Sequence, residues 1–157
     1  MALDLSGEVL VVSAPGADDA GPQSGAAYVF RHAGGAWIQE ARLAAPQGDA
    51  WDRFGFDVAV SGSTIAIGAE GDDQAAPDAG AVHVFVHDGS AWTLQATLVS
   101  AAAGRDDRLG TALDLQGDQL AVAVPRRDVA GRTNAGVVEV YRRSGSVWSL
   151  DGVLSAT

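Results

Sequence analysis

The stretch FGFDVAVSGSTIAIGAEGDD, residues 54–73, carries two short runs of small apolar residues on either side of a Ser-Gly-Ser turn. Glycine at such a turn reaches positive φ at little cost, so the stretch reads as a tight hairpin. It ends in two acids, Asp72 and Asp73. Three readings of that end are open: a calcium loop, a catalytic carboxylate pair, or a connection between strands.

The hairpin is not unique in the chain. ALDLSGEVLVV, DVAVSGSTIAI and ALDLQGDQLAV align on Gly7, Gly62 and Gly117, spaced 55 and 55. Asp18, Asp73 and Asp128 repeat at the same two intervals. SGAAYVF, AGAVHVF and AGVVEVY follow, and then GGAWIQEARL, GSAWTLQATL and GSVWSLDGVL with Trp37, Trp92 and Trp148 at matching places. The linkers WDRFG and DDRLG join the units, and the register slips by one residue in the longer AGRTNAG loop of the third. A fixed period of this kind is the signature of a repeat architecture.

Each unit holds four runs of strand character, which in the second fall near 56–61, 63–69, 80–87 and 91–99. Period-two alternation places Trp92, Leu94, Ala96 and Leu98 on one face of the last run and Thr93, Gln95 and Thr97 on the other. The third run, AVHVFVH, is apolar on much of both faces, as in a sheet held between two neighbours. No segment has a helical period. Four antiparallel strands recurring every 55 residues read as an all-β chain of β-propeller blades. A sandwich of meanders is the alternative, but identical units call for identical neighbours on both faces. The expected units are 1–53, 54–108 and 109–157.

The bulk numbers narrow the partners. At 157 residues and 47% hydrophobic, the chain can bury a core as one repeat domain. A net charge of −10 is repelled by phosphate backbones, which argues against nucleic acid. No apolar run approaches a membrane span, and ALDLSGEVLVV after Met1 lacks the pattern of a signal peptide. With no cysteine there is neither a disulfide framework nor a thiolate metal site, and the compartment stays open.

Phe54-Gly55, VAVSG, IAIGAEGDD, AGAVHVF and AWTLQATL together resemble the FG-GAP repeat, the blade of integrin α-chain propellers and of many bacterial surface and secreted proteins. Ser13-Ala14-Pro15-Gly16 matches the GAP element, Gly68-Ala69-Glu70-Gly71 varies it, and unit three departs furthest with Leu109 and Ala123-Val124-Pro125. The resemblance implies a propeller, an extracellular or cell-surface setting for the parent family, and partner binding through loops. It also implies calcium in blades whose first joint carries a DxDxDG-type loop. Here that joint is LSGEVL, VSGSTI or LQGDQL, too tight for six to eight oxygen ligands.

The acids lie instead in the second joint of each unit: PGADDAGPQS, EGDDQAAPDA and PRRDVAGRTNA. Asp72, Asp73 and Asp78 are the candidate calcium ligands, with Asp18 and Asp19 a poorer set. Against that stands the turn-forming habit of Asp, which bonds its own backbone. Unit three keeps Asp128 beside Arg126 and Arg127, so no metal site common to all units is expected. Catalysis finds less support. His83 and His87 share a strand face roughly 13 Å apart, too far for one zinc ion. Asp106-Asp107 flanks a linker with no pocket in view, and no Ser-His-Asp grouping has context, so no enzyme is expected. The repeated tryptophans read as packing rather than a sugar platform. Asp52-Arg53 and Asp107-Arg108 read as local surface ion pairs, each stabilising the crossing between units by about 1 kcal/mol at most.

In a four-strand meander the long loops 15–24, 70–79 and 125–135 share one face with the linkers 45–53 and 100–108. That face, with Asp18, Asp19, Arg126, Arg127 and Asp128, is where a protein or glycan ligand is expected. Three blades do not close a ring, and the chain begins and stops at blade boundaries. The expectation is a homodimer forming a six-bladed ring, held by the apolar strands 25–30 and 136–141, with Arg126, Arg127 and Arg132 facing Asp18 and Asp19 across the rim. The chain then reads as a self-assembling scaffold or interaction module, natural, excised or engineered. A calcium-dependent adhesion module is the alternative, and a propeller accompanying a hydrolase domain is a third.

Overall fold

The computed structural model describes residues 1–155. Its strands are β1 (Leu3–Ser6), β2 (Val9–Ala14), β3 (Ala26–Ala33), β4 (Ala36–Leu43), β5 (Val58–Ser61), β6 (Thr64–Ala69), β7 (Ala81–His87), β8 (Trp92–Leu98), β9 (Leu113–Gln116), β10 (Gln119–Val124), β11 (Val137–Ser144) and β12 (Val147–Leu154). They form three four-stranded antiparallel sheets, each a meander in chain order, and no helix occurs among the described residues. Gly7, Gly62 and Gly117 turn the first hairpins at φ of 57°, 57° and 58°. These are the turns the aligned glycines predict.

Successive sheets pack face to face as blades. The first strands lie together at the inner edge, β1 on β5 and β5 on β9. Two apolar layers result. Val9, Val11, Val29 and Leu43 of blade one meet Val58, Val60, Ile65, Ile67, Phe85 and Trp92 of blade two. On its other side blade two offers Ala66, Val82, Val84 and Leu98 to Leu115, Leu120, Val122, Tyr141 and Trp148. Every residue of β6 is buried, as a middle sheet requires. Phe54 and Leu109, the FG-type linker residues, are fully buried plugs within these two layers. Each sits against a glycine: a Cβ at Gly25 or Gly80, both at positive φ, would collide with the linker backbone at Phe54 or Leu109.

Two expectations about faces need correction. Trp92, Leu94, Ala96 and Leu98 do not share a face. The β7–β8 register shifts between Val84 and Phe85, so Leu94 pairs with Phe85 while Ala96 pairs with Val84. The bulge at Gln95 turns Trp92 toward blade one and Leu98 toward blade three. The same shift recurs in the last hairpin of the other two sheets. Nor does the strand 25–30, expected to hold the ring together, turn Val29 to the open face. Val29 is wholly buried between the first two blades, whereas Tyr28 and Phe30, its strand neighbours, point outward and are half-buried. On β11 the outward residues are Val138 and Val140.

Candidate functional site

The long loops and the linkers do lie on one face, and backbone hydrogen bonds join them. Trp51, Arg53 and Phe54 donate to the carbonyls of Pro22, Gln23 and Ser24. Asp106, Arg108 and Leu109 donate to those of Pro77, Asp78 and Ala79. The linkers reach this pairing through left-handed backbone at Trp51, Arg53, Asp106 and Arg108 (φ 75°, 56°, 62° and 59°).

Within each loop one acid closes a local turn. Asp18 Oδ1 accepts Gln23 N–H at 2.8 Å, Asp73 Oδ1 accepts Asp78 N–H at 2.6 Å, and Asp128 Oδ1 accepts Asn134 N–H at 2.8 Å. The three donors sit at positive φ of 53°, 52° and 52°, the conformation that such a closed loop imposes. Asp19 forms an ion pair with Arg42 of its own blade. Asp72, Asp73 and Asp78 do not converge: Asp72 is buried with its Oδ1 on Gln74 N–H at 2.8 Å, while Asp73 is exposed. Among the described residues no group of three or more His, Asp or Glu side chains is placed to hold a metal ion.

The Asp-Arg pairs differ from the surface bridges expected of them. Asp52 and Asp107 are both buried, and each accepts a backbone N–H three residues back, from Asp49 at 2.7 Å and Gly104 at 2.8 Å. Arg53 and Arg108 turn away from them. Both reach Glu70 Oε1, at 3.0 and 3.3 Å, and Glu70 is itself buried. Asp106 and Asp107 line a cavity, which their sequence setting did not suggest.

The charged side chains concentrate where blades meet. At the second seam Arg127 turns inward from the loop face. Its guanidinium donates to Asp107 Oδ2 at 2.6 Å, Glu139 Oε1 at 3.0 Å and Ser100 Oγ at 2.9 Å. Ser100 Oγ also donates to Glu139 Oε1 at 2.5 Å, and Tyr141 O–H to Glu139 Oε2 at 2.6 Å. Burial, with Glu139 beside it, pushes the Tyr141 hydroxyl well above the usual phenol range. The cluster is a desolvated ion network with every partner hydrogen-bonded.

The first seam places different residues at the same repeat positions. Asp72 stands where Arg127 does, Asp52 where Asp107 does, and His83 where Glu139 does. No cation replaces the guanidinium. Burial pushes Asp52 up to about 6 and raises Asp72. Burial also lowers His83 to about 4, so its ring is neutral. Its Nδ1 meets Thr97 Oγ1 at 3.1 Å, while Nε2 is buried without a partner, 3.9 Å from Asp72 Oδ2.

Two kinds of cavity follow. One of about 510 Å³ opens between the third long loop and the second linker, among Arg105, Arg126, Arg127, Asp107, Asp128 and Asn134. One of about 210 Å³ at the first seam is lined by Gln47, Gln74 and four aspartates: Asp49, Asp52, Asp72 and Asp73. Sequence reading missed Glu70, His83 and Glu139 as seam residues; the available signal was an ionisable residue inside an otherwise apolar run.

A family model described as FG-GAP repeat matches residues 1–30 and 37–85, just over half of the chain. Among curated proteins none matches it. No helix among the described residues is long and apolar enough to cross a membrane.

Proposed function

The chain belongs to the FG-GAP repeat family, and on that premise we propose that it is a non-enzymatic β-propeller interaction module. It assembles with a second copy into a six-bladed ring and presents its long-loop face to a protein or glycan. The observation that carries this reading is the pair of open end faces. On blade one Leu3, Leu5 and Trp37 are 62%, 56% and 45% exposed. Their repeat counterparts on blade two, Val58, Val60 and Trp92, are buried against blade one. On blade three Leu154 is 61% exposed, whereas its counterpart Leu98 is buried between blades two and three. Contiguous apolar exposure of this kind marks an interaction surface, and each face is built to receive the opposite one.

Two chains related by a twofold axis satisfy both faces at once, with blade three of each against blade one of the other. Rim charge contributes less to this than composition suggests, since Arg127 and Asp19 are engaged within their own chain. Ligand recognition is assigned to the loop face because rigid, backbone-paired loops frame the cavity at Arg105 and Arg126. Light scattering tests the assembly. A mass of twice 16.0 kDa is expected, and a stable monomer of 16.0 kDa would refute it. The calcium-dependent alternative requires a melting temperature that rises in millimolar calcium and loses that rise with Asp72→Ala and Asp73→Ala.

A further inference from the structure

Each internal seam is fastened at both edges; the indole and serine bonds recur position for position, while the aspartate is Asp4 in blade one and, two repeat positions earlier, Asp57 in blade two. At the outer edge, the bulge residue of one blade accepts the indole N–H of the next. Trp92 Nε1 donates to Glu40 Oε2 at 2.9 Å, and Trp148 Nε1 to Gln95 Oε1 at 2.9 Å. At the inner edge, an aspartate and a serine accept backbone N–H groups of the next blade's first hairpin. Val60 N–H donates to Asp4 Oδ2 at 2.7 Å and Gly62 N–H to Ser6 Oγ at 3.1 Å. Leu113 N–H donates to Asp57 Oδ2 at 2.7 Å and Gly117 N–H to Ser61 Oγ at 3.0 Å.

Counterparts of the indole and serine bonds are present on the open faces, whereas Leu5 N–H, the counterpart of Val60 N–H, already donates to Asp4 Oδ1 at 2.9 Å. Asp151 is the bulge counterpart of Glu40 and Gln95, lying between the residues that pair with Val140 and Tyr141. Glu40 binds Arg31 through both oxygens, Oε1 to Nε at 2.7 Å and Oε2 to Nη2 at 3.1 Å, and Oε2 also accepts the tryptophan. Asp151 repeats the Nε contact: its Oδ2 binds Arg142 Nε at 3.3 Å, and Arg142 is the counterpart of Arg31. At the inner edge Asp114 and Gln116 occupy the repeat positions of Asp4 and Ser6 and are exposed. The donors wait on blade one. Trp37 packs tilted against His32 with ring centroids 5.1 Å apart, and Trp92 packs edge-on against His87 at 5.1 Å.

From this match we infer that the seam between two copies reuses the latch of the internal seams. Trp37 Nε1 of one chain donates to Asp151 of the other, and Gln116 accepts the N–H of Gly7. The inference rests on the self-assembly reading and adds its register and its contacts. With the donors on blade one and the acceptors on blade three, the latch favours head-to-tail closure over stacking of like faces.

Trp37→Phe and Asp151→Ala test it, in a Trp51→Phe background that leaves Trp37 the one exposed tryptophan of the remaining three. Both side chains are exposed in the single chain, so the substitutions spare the internal core. A hydrogen bond to a charged acceptor is worth about tenfold in affinity. Each latch occurs twice in the ring, so either substitution is expected to weaken dimerisation about a hundredfold by sedimentation equilibrium. The double variant is expected to be no weaker than either single one, and Asp151→Glu, the residue of blade one, to restore binding. Trp37 emission should shift to the blue as concentration rises. A parent chain that stays monomeric overturns the self-assembly reading and this inference with it. A parent dimer whose affinity ignores both substitutions, or loses it additively, overturns the latch alone.

Discussion

Replacing Arg127 with methionine keeps the length and apolar stem of the side chain and removes its charge. Three hydrogen bonds at 2.6, 3.0 and 2.9 Å disappear, and the carboxylates of Asp107 and Glu139 are left facing each other behind the loop. Glu139 is 1% exposed and Asp107 4% exposed, so water cannot take over the lost role. Removing one partner of a buried pair costs about 3–5 kcal/mol, because the remaining charge stays desolvated. Part of the Glu139 charge is still held by Tyr141 and Ser100, which places the expected loss near the lower figure. For a chain of this size about 3 kcal/mol lowers the melting temperature by about 10 °C.

Urea denaturation at pH 7 reads the loss as a shift in midpoint with an unchanged slope. The companion variant Arg127→Met/Glu139→Gln removes the stranded charge. It is expected to recover about 2 kcal/mol of the deficit, the coupling a double-mutant cycle isolates. If Arg127→Met alone costs less than about 1 kcal/mol, the network is solvated and Arg127 belongs to the loop surface. If the two substitutions simply add, the pair is not coupled and the reasoning fails.

At the first seam Asp52 and His83 have opposite pH signatures. The raised Asp52 carboxyl, near 6, binds its proton more tightly folded than unfolded, so stability falls as pH rises from about 4 to 6. The lowered His83, near 4, binds its proton more tightly unfolded, so stability falls as pH drops from about 6.5 to 4. Asp52→Asn should therefore leave stability declining below pH 6, and His83→Gln should leave it improving there; identical pH profiles for both would contradict the assignments. Gly80→Ala is expected to disrupt the crossing at Leu109 and cost about 3 kcal/mol or more. Gly7→Ala, at positive φ but in open space, should cost about 1 kcal/mol, and equal losses in thermal melts would deny the close approach. Val29→Asp should unfold the chain, because Val29 is core, while Val138→Asp should leave a folded monomer. Circular dichroism with light scattering separates the two.

The strands and their order were legible because backbone demands recur. A tight turn needs Gly7, Gly62 and Gly117 wherever it occurs, and a buried plug needs Phe54 or Leu109 beside Gly25 or Gly80. Which way a side chain points was less legible. One bulge at Gln95 moves Leu98 to the face opposite Trp92, and Gln95 itself carries no mark of a bulge. The seam chemistry was the least legible, because it is written in pairs of positions rather than in single ones. Position by position the repeat runs Tyr28, His83, Glu139 on one strand and Ala17, Asp72, Arg127 on one loop. Taken singly, these look like tolerated variation. Paired within a blade, they are matched choices: Arg127 neutralises Glu139, while Asp72 adjoins a His83 that burial keeps neutral. The loop face is therefore not one surface repeated. Its larger cavity balances Arg105, Arg126 and Arg127 against Asp106, Asp107 and Asp128, while its four-aspartate cavity has no cation among its lining residues. A ligand that pairs with both signs of charge at the larger cavity meets only carboxylates one blade earlier, so the two seams of this face differ in what they can recognise.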